Sequence, residues 1–252
     1  MVFITTQSPA EGIKAFASQI GGLLCKDKKV LWLVPGGTNI PISVEVMKIV
    51  RKQVSEKLMN NLTVTLTDER FGPVGHKDSN WEQLMLAGFD FSGIQTLPVL
   101  KNLSLEETVN EFSKNIERAF SLPISPISKT DSLPVGEVIP LENSSTSEII
   151  NGNDIVIGQF GIGPDGHIAG ILPNSSAVKS LNTTFSYTAP PFTRITLTPK
   201  ALLKISIAYA FVFGESKREA ISNLQIKNLS IEEQPAQILK KLKEAYLYSY
   251  TH

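Results

Sequence analysis

The chain has 252 residues, of which 42% are hydrophobic and 19% are charged. This composition is typical of globular domains and excludes disordered, collagen-like and disulfide-scaffold proteins. The 24 lysines and arginines balance 24 aspartates and glutamates, so the formal net charge is zero. We therefore expect neither nucleic acid nor an anionic membrane as a partner, and any anion site has to be local.

The sequence predicts a cytoplasmic protein. No run of about 18 apolar residues predicts a membrane span, and the first residues lack the basic and apolar regions of a signal peptide. The single cysteine, Cys25, has no internal partner for a disulfide and follows an apolar run. We expect it to be a buried structural thiol. The oligomeric state cannot be read from the sequence.

The first half of the chain predicts a βαβ order. Residues 8–11, Ser-Pro-Ala-Glu, fit a helical capping box, and apolar residues then recur at helical spacing. They are Ile13, Phe16, Ala17, Ile20 and Leu24. The apolar run 29–34 is typical of a strand buried on both faces of a parallel sheet. A helical pattern over about 39–60 and a strand over 62–67 follow, which indicates an α/β fold.

The second half predicts further alternating elements. Ser79 is expected to cap a short helix, and Ser104 a longer one. Residues 121–153 are rich in Ser, Pro and Asn and predict an irregular excursion from one domain that spans 1–252. Later elements are then predicted near the following positions: strands at 154–160, 194–198 and 205–213, and helices at 216–228 and 234–246.

The residues just past each strand are the first candidates for a site, because ligands of open α/β sheets bind at the carboxyl ends of the strands. Gly36, Gly37 and Thr38 follow the first apolar strand, and their amides and hydroxyl suit a phosphate group. The same residues also suit an ordinary strand-to-helix turn. Three further segments with unusual composition follow strands: 68–70, 161–167 and 214–217.

Two nucleotide signatures are excluded. Gly161, Gly163 and Gly166 match the spacing of the dinucleotide fingerprint, but Pro173 limits any helix behind them. No acidic residue occurs between Gly166 and Gly214, where the fingerprint requires one. A complete P-loop is also absent. We therefore predict no nucleotide cofactor.

Charged and titratable residues at the predicted strand ends suggest the chemistry. His167, in a glycine-rich turn, suits a general base, with Asp165 orienting its ring. The alternative is a structural histidine with a turn aspartate. Arg70, Arg194 and Lys217 are each either solvated surface charges or members of one phosphate site. The spacing of cysteine and histidines does not fit zinc, so we predict no metal.

Taken in order, these segments resemble the 6-phosphogluconolactonase branch of the sugar-phosphate isomerase/lactonase family. The resemblance covers residues 35–217 and is most specific in the glycine-rich element that ends in Asp165-Gly166-His167. The matching stretches are 35–38, 67–70, 76–80, 161–167, 194–198 and 214–217. The resemblance implies a Rossmann-like three-layer fold with a mostly parallel central sheet flanked by helices. It also implies hydrolysis of 6-phospho-D-glucono-1,5-lactone in the oxidative pentose phosphate pathway, without a cofactor.

The resemblance also assigns roles to individual residues. The phosphate would be bound by Gly36, Gly37, Thr38, Arg194 and Lys217. His167 would be the base, oriented by Asp165, and Arg70 would meet the sugar or the developing negative charge. Asp68 would bind hydroxyl groups or hold Arg70.

The sequence departs from the family pattern in two places. Pro35 stands where a serine is usual, which is expected to alter phosphate affinity, and the 121–153 stretch is longer than expected.

Two rival functions remain. A glucosamine-6-phosphate deaminase/isomerase would carry a glutamate five residues after the histidine, but here that position is Leu172, which cannot transfer a proton. A sugar-phosphate-binding regulator would keep the pocket without turnover.

Overall fold

A computed structural model describes residues 1–121 and 152–250, so the predicted excursion lies almost wholly outside the described residues. The strands of the described part are β1 (Val2–Thr6), β2 (Val30–Val34), β3 (Leu62–Leu66), β4 (Asp68–Arg70), β5 (Gln95–Leu97), β6 (Ile155–Phe160), β7 (Thr184–Ala189), β8 (Phe192–Leu197), β9 (Ile207–Val212) and β10 (Glu244–Tyr250). The α-helices are α1 (Ala10–Leu24), α2 (Ile40–Gln53), α3 (Glu56–Met59), α4 (Asn80–Leu86), α5 (Leu105–Phe120), α6 (Pro199–Leu202) and α7 (Arg218–Ile226).

The predicted α/β fold is confirmed. Seven strands form one sheet in the order β1-β10-β9-β6-β2-β3-β5, and every neighbouring pair is parallel. All five residues of β2 are buried, as its continuous apolar sequence predicts for a strand covered on both faces. Because β2 lies between β6 and β3, the loops that follow these three strands meet at one edge of the sheet.

A second sheet holds three antiparallel strands in the order β4-β8-β7. Of these, the sequence predicted only β8. The strand β4 is three residues long and wholly charged, and β7 is largely polar, so neither shows the apolar pattern of a buried strand. The pairing of β4 with β8 places Arg70 directly opposite Arg194.

The helix α1 is confirmed, and its five predicted apolar residues are buried. The predicted capping box is wrong, since Pro9 is the N-cap and makes no side-chain capping bond. The prediction that Cys25 is buried is also wrong. This residue is exposed because it is the C-cap of α1, one position beyond the last residue, Leu24, that the helix buries.

Two other helix predictions need correction. The pattern over 39–60 forms two helices, because the chain is extended at Val54 between α2 and α3. The predicted helix at 234–246 is wrong: Pro235–Lys241 is a 3-10 helix, and β10 then pairs with β1 and β9.

The caps of α4 and α5 are as predicted, with Ser79 and Ser104 each accepting a backbone hydrogen bond from the third residue of the helix. In the described part of the chain, no helix has the length and apolar character needed to cross a membrane.

Candidate active site

A cavity of about 230 Å³ opens at the carboxyl edge of the large sheet, between the loops after β2 and β6 and the small sheet. Eight of the nine predicted site residues line it: Gly36, Gly37, Thr38, Asp68, Arg70, His167, Arg194 and Lys217. The ninth, Asp165, contacts His167 from outside the lining. The four segments that the sequence analysis selected therefore meet at one place.

The two glycines after β2 are required for different reasons. A Cβ atom at Gly36 would lie 1.9 Å from the side-chain oxygen of Asn80, so no side chain fits there. Gly37 has open space but a φ of +64°, which favours glycine. The short 3-10 turn Gly37–Asn39 then leads directly into α2. Pro35 also lines the cavity and, unlike other residues, brings no backbone N–H to it.

Lys217 approaches this glycine loop from the end of β9. It lies in a 3-10 turn that follows Gly214, and its Nζ donates a hydrogen bond to Thr38 Oγ1 at 3.3 Å. Burial lowers the pKa of the Lys217 ammonium group from its ordinary value. The ammonium group is therefore partly desolvated and positioned beside the loop that suits a phosphate.

Arg70 and Arg194 lie side by side on the small sheet. Both guanidinium groups contact the ring of Phe192, at 5.1 and 5.7 Å from its centre. Within residues 1–121 and 152–250, neither arginine nor Lys217 forms a salt bridge, and Asp68 is the one acidic residue of the lining. The cavity therefore has an excess of positive charge, which favours an anionic ligand.

His167 and Asp165 form a hydrogen-bonded pair in the turn after β6. Asp165 Oδ1 accepts from the ring Nδ1 at 2.6 Å and from the backbone N–H of His167 at 3.1 Å. Burial raises the pKa of Asp165, but the hydrogen bonds and charge of His167 outweigh it, so the pKa is lowered overall. Since the carboxylate engages Nδ1, the other ring nitrogen, Nε2, is the one that can accept a proton.

Glycines shape the turn around this pair. A Cβ atom at Gly163 would lie 2.1 Å from two atoms of the His167 ring, so the ring packs directly on the backbone. Gly166 has a φ of +81°, and its missing side chain leaves room for Gln234. Of the glycines that resemble a dinucleotide fingerprint, Gly163 therefore makes room for the histidine ring, and Gly166 makes room for Gln234 behind the turn.

The sequence analysis did not assign roles to three residues at this site. Asn39 and Asn80 line the cavity and are almost fully buried, with Nδ2 of each bonded to a backbone carbonyl. Glu69 lies behind the lining with no exposed surface. A weak signal existed for Asn80, since it follows the N-cap Ser79 in one of the stretches that carry the family resemblance.

Comparisons with known proteins show the family of this chain. The family described as glucosamine-6-phosphate isomerases/6-phosphogluconolactonase matches residues 7–247, and the chain belongs to this family. A 6-phosphogluconolactonase of Borreliella burgdorferi is 36% identical over 84 residues, a stretch that spans 32% of this chain and 36% of that protein.

Solved structures share the fold over the whole chain. The 6-phosphogluconolactonase of Thermotoga maritima superimposes with a TM-score of 0.74 and 17% identity, covering 99% of both chains. A monomeric glucosamine-6-phosphate deaminase gives a TM-score of 0.71 and 19% identity, covering 99% of this chain and 97% of the other. Since proteins of both activities share this fold, the choice between the two activities depends on the residues of the site.

Proposed function

We propose that this chain hydrolyses 6-phospho-D-glucono-1,5-lactone to 6-phosphogluconate, the second step of the oxidative pentose phosphate pathway. The observation that carries the proposal is the pairing, in one cavity, of an oriented histidine with three cations that lack a salt-bridge partner among the described residues. A phosphorylated ester needs both groups: cations for its phosphate and a base for the water that attacks it.

Substrate binding in this proposal depends on the phosphate. The amides of Gly36 and Gly37 with the hydroxyl of Thr38 would donate hydrogen bonds to it, and Arg194 and Lys217 would supply its counter-charges. Asp68 would accept hydrogen bonds from sugar hydroxyls. Holding the phosphate at one end places the lactone carbonyl toward Arg70 and His167, which line the same cavity.

The proposed reaction is acyl transfer to water. His167 Nε2 takes a proton from water as the water oxygen bonds to C1, and Arg70 stabilises the oxyanion that forms on the former carbonyl. The ionised Asp165 stabilises the imidazolium through Nδ1. Collapse of the intermediate breaks the bond from C1 to the ring oxygen, which collects the proton from Nε2. The carboxylic acid product then ionises, so one proton is released per turnover.

The residue five positions after His167 favours lactone hydrolysis over deamination. Leu172 is not part of the cavity lining, and its backbone N–H bonds to the hydroxyl of Tyr187 at 3.1 Å. Amine loss with ring opening needs a relay of ionisable groups, and leucine cannot supply one. A regulator without turnover is the other rival, and the paired His167 and Asp165 argue against it.

No metal takes part in the proposed mechanism, and in the described part of the chain no three His, Cys, Asp or Glu residues cluster as metal ligands would. We therefore expect full activity in EDTA and without nicotinamide. Initial rates before and after dialysis against EDTA check this expectation. Loss of activity that added metal ions restore would contradict the proposed chemistry.

The lowered pKa of Lys217 predicts how product binding depends on pH. The ammonium loses its proton at a lower pH than an ordinary lysine, and neutral amine binds phosphate more weakly. The affinity for 6-phosphogluconate should therefore fall as the pH rises through this lowered pKa, as titration calorimetry would measure. In Lys217→Arg the positive charge persists, so the fall should disappear. An equal fall in both proteins would assign it to another group.

Product analysis tests the proposed function. The enzyme should convert the phosphorylated lactone to 6-phosphogluconate, followed by ³¹P NMR, and should release no ammonia from glucosamine 6-phosphate. Ammonia release without lactone hydrolysis would establish the rival activity.

We also propose a cytoplasmic location, because a doubly charged sugar phosphate does not cross a lipid bilayer unaided and the enzyme must share its compartment.

A further inference from the structure

We infer that Glu69 is a positioning residue for the proposed reaction, an inference that rests on the proposed function. Glu69 lies in β4 between Asp68 and Arg70, both of which line the cavity. Because side chains alternate along a strand, the Glu69 carboxylate is directed to the opposite side, where it has no exposed surface. It therefore cannot touch the substrate and has to act through its neighbours.

Four hydrogen bonds satisfy this buried carboxylate. Oε1 accepts from the backbone N–H groups of Arg70 at 2.6 Å and Asn80 at 2.7 Å. Oε2 accepts from Ser79 Oγ at 2.8 Å and from the backbone N–H of Trp81 at 3.1 Å. None of the salt bridges in the described residues includes Glu69. Burial raises the pKa of the carboxyl, and the four hydrogen bonds oppose this rise.

The four donors belong to two segments that both reach the cavity. One is β4, where Arg70 also donates from its guanidinium group to the carbonyl of Asp78 at 2.8 Å. The other is the start of α4, where Asn80 Nδ2 donates to the carbonyl of Asp68 at 2.8 Å. Glu69 thus fixes the distance between the proposed oxyanion-binding arginine and the segment that carries Asn80.

Asn80 extends this connection to the phosphate loop. Its Oδ1 is buried, has no hydrogen-bond partner in the described part of the chain, and lies 1.9 Å from the position that a Cβ atom of Gly36 would take. The backbone at Gly36 therefore packs against Asn80, and the backbone N–H of Asn80 donates to Glu69. A shift of the carboxylate would displace Arg70 relative to the loop that binds the phosphate.

The substitution Glu69→Gln tests this inference. Glutamine keeps the size of the side chain but turns one acceptor oxygen into an NH₂ group, which faces donors instead of accepting from them. A misplacement of about 1 Å can cost about a hundredfold in rate. We expect kcat to fall at least about tenfold while KM changes less than about threefold, because Glu69 bonds directly to the backbone of Arg70 but reaches the phosphate loop only through Asn80.

A matched pair elsewhere in the chain supplies the control. In α5, the exposed Glu107 accepts from the backbone N–H and hydroxyl of Ser104, so the same two residue types are paired at a helix start on the surface, outside the cavity lining. Glu107→Gln should leave kcat unchanged, because glutamine also serves at this position of a capping box. If Glu69→Gln does not fold, the milder Ser79→Ala replaces it, with Ser104→Ala as its control, and kcat should then fall about threefold in the first variant only.

The outcomes separate this inference from the proposed function. An inactive wild-type enzyme would overturn the proposed function and the inference together. A different result would overturn the inference alone. In that case the wild type is active, and folded Glu69→Gln keeps its kcat or loses no more of it than the α5 control does. The same criterion applies to Ser79→Ala where that variant replaces Glu69→Gln. A selective loss of kcat at the β4 to α4 contact, with KM nearly constant, would establish it.

Discussion

His167→Ala is expected to lower kcat for lactone hydrolysis by about 10² to 10⁴, the usual contribution of a positioned general base. The variant should still bind 6-phosphogluconate, because the proposed phosphate ligands lie on other segments of the cavity. Stopped-flow rates, corrected for spontaneous hydrolysis at each pH, measure the first effect, and titration calorimetry measures the second. This combination separates an enzyme from a protein that only binds sugar phosphates.

The variant His167→Asn is the control for shape, and it should be nearly as inactive as the alanine variant. If the alanine variant keeps the wild-type turnover, His167 is structural. Asp68, which lines the cavity with a largely buried carboxylate, is then the next candidate for the base.

Lys217→Ala and Arg194→Ala are each expected to weaken binding of the phosphorylated lactone and of 6-phosphogluconate by tens-fold or more. A hydrogen bond to a charged group contributes about 1.5 to 3 kcal/mol, and each 1.4 kcal/mol corresponds to about tenfold in affinity. Unphosphorylated gluconolactone should react with nearly unchanged kcat/KM in both variants, because it lacks the group that these cations bind.

The comparison of the two lactones is the control for general damage to the site. Lys200→Ala, at an exposed position on α6, should leave both reactions unchanged. Equal losses on both lactones in Lys217→Ala and Arg194→Ala would contradict the assignment of these residues to the phosphate. The two cations would then act on the sugar or on the fold.

The sequence predicted which segments meet at the cavity better than it predicted the edges of the sheets. Apolar runs such as 29–34 identify strands that are buried on both faces, and such strands form the centre of the sheet. Because the carboxyl ends of parallel strands share one edge, the segments after β2 and β6 were both candidates for the site, although they lie far apart in the chain. That step needed only the order of the elements.

The residues that were missed depend on tertiary contacts. The strand β4 is charged and short, and it exists because β8 pairs with it. The strand β10 follows a helix-like pattern of lysines and leucines, but its place between β1 and β9 outweighs local propensity. Glu69 and Asn80 both lie in stretches that the sequence analysis selected, but their contact with each other depends on how the start of α4 packs against β4, which no local pattern shows.

The most direct test of the account is a stopped-flow measurement of phosphorylated lactone disappearance with the wild-type protein, using proton release as the signal. The account predicts a rate above that of spontaneous hydrolysis, proportional to enzyme concentration, unaffected by EDTA and saturable by the lactone. A rate equal to the spontaneous one, from protein that binds 6-phosphogluconate normally, would contradict it and would define the cavity as a sugar-phosphate receptor.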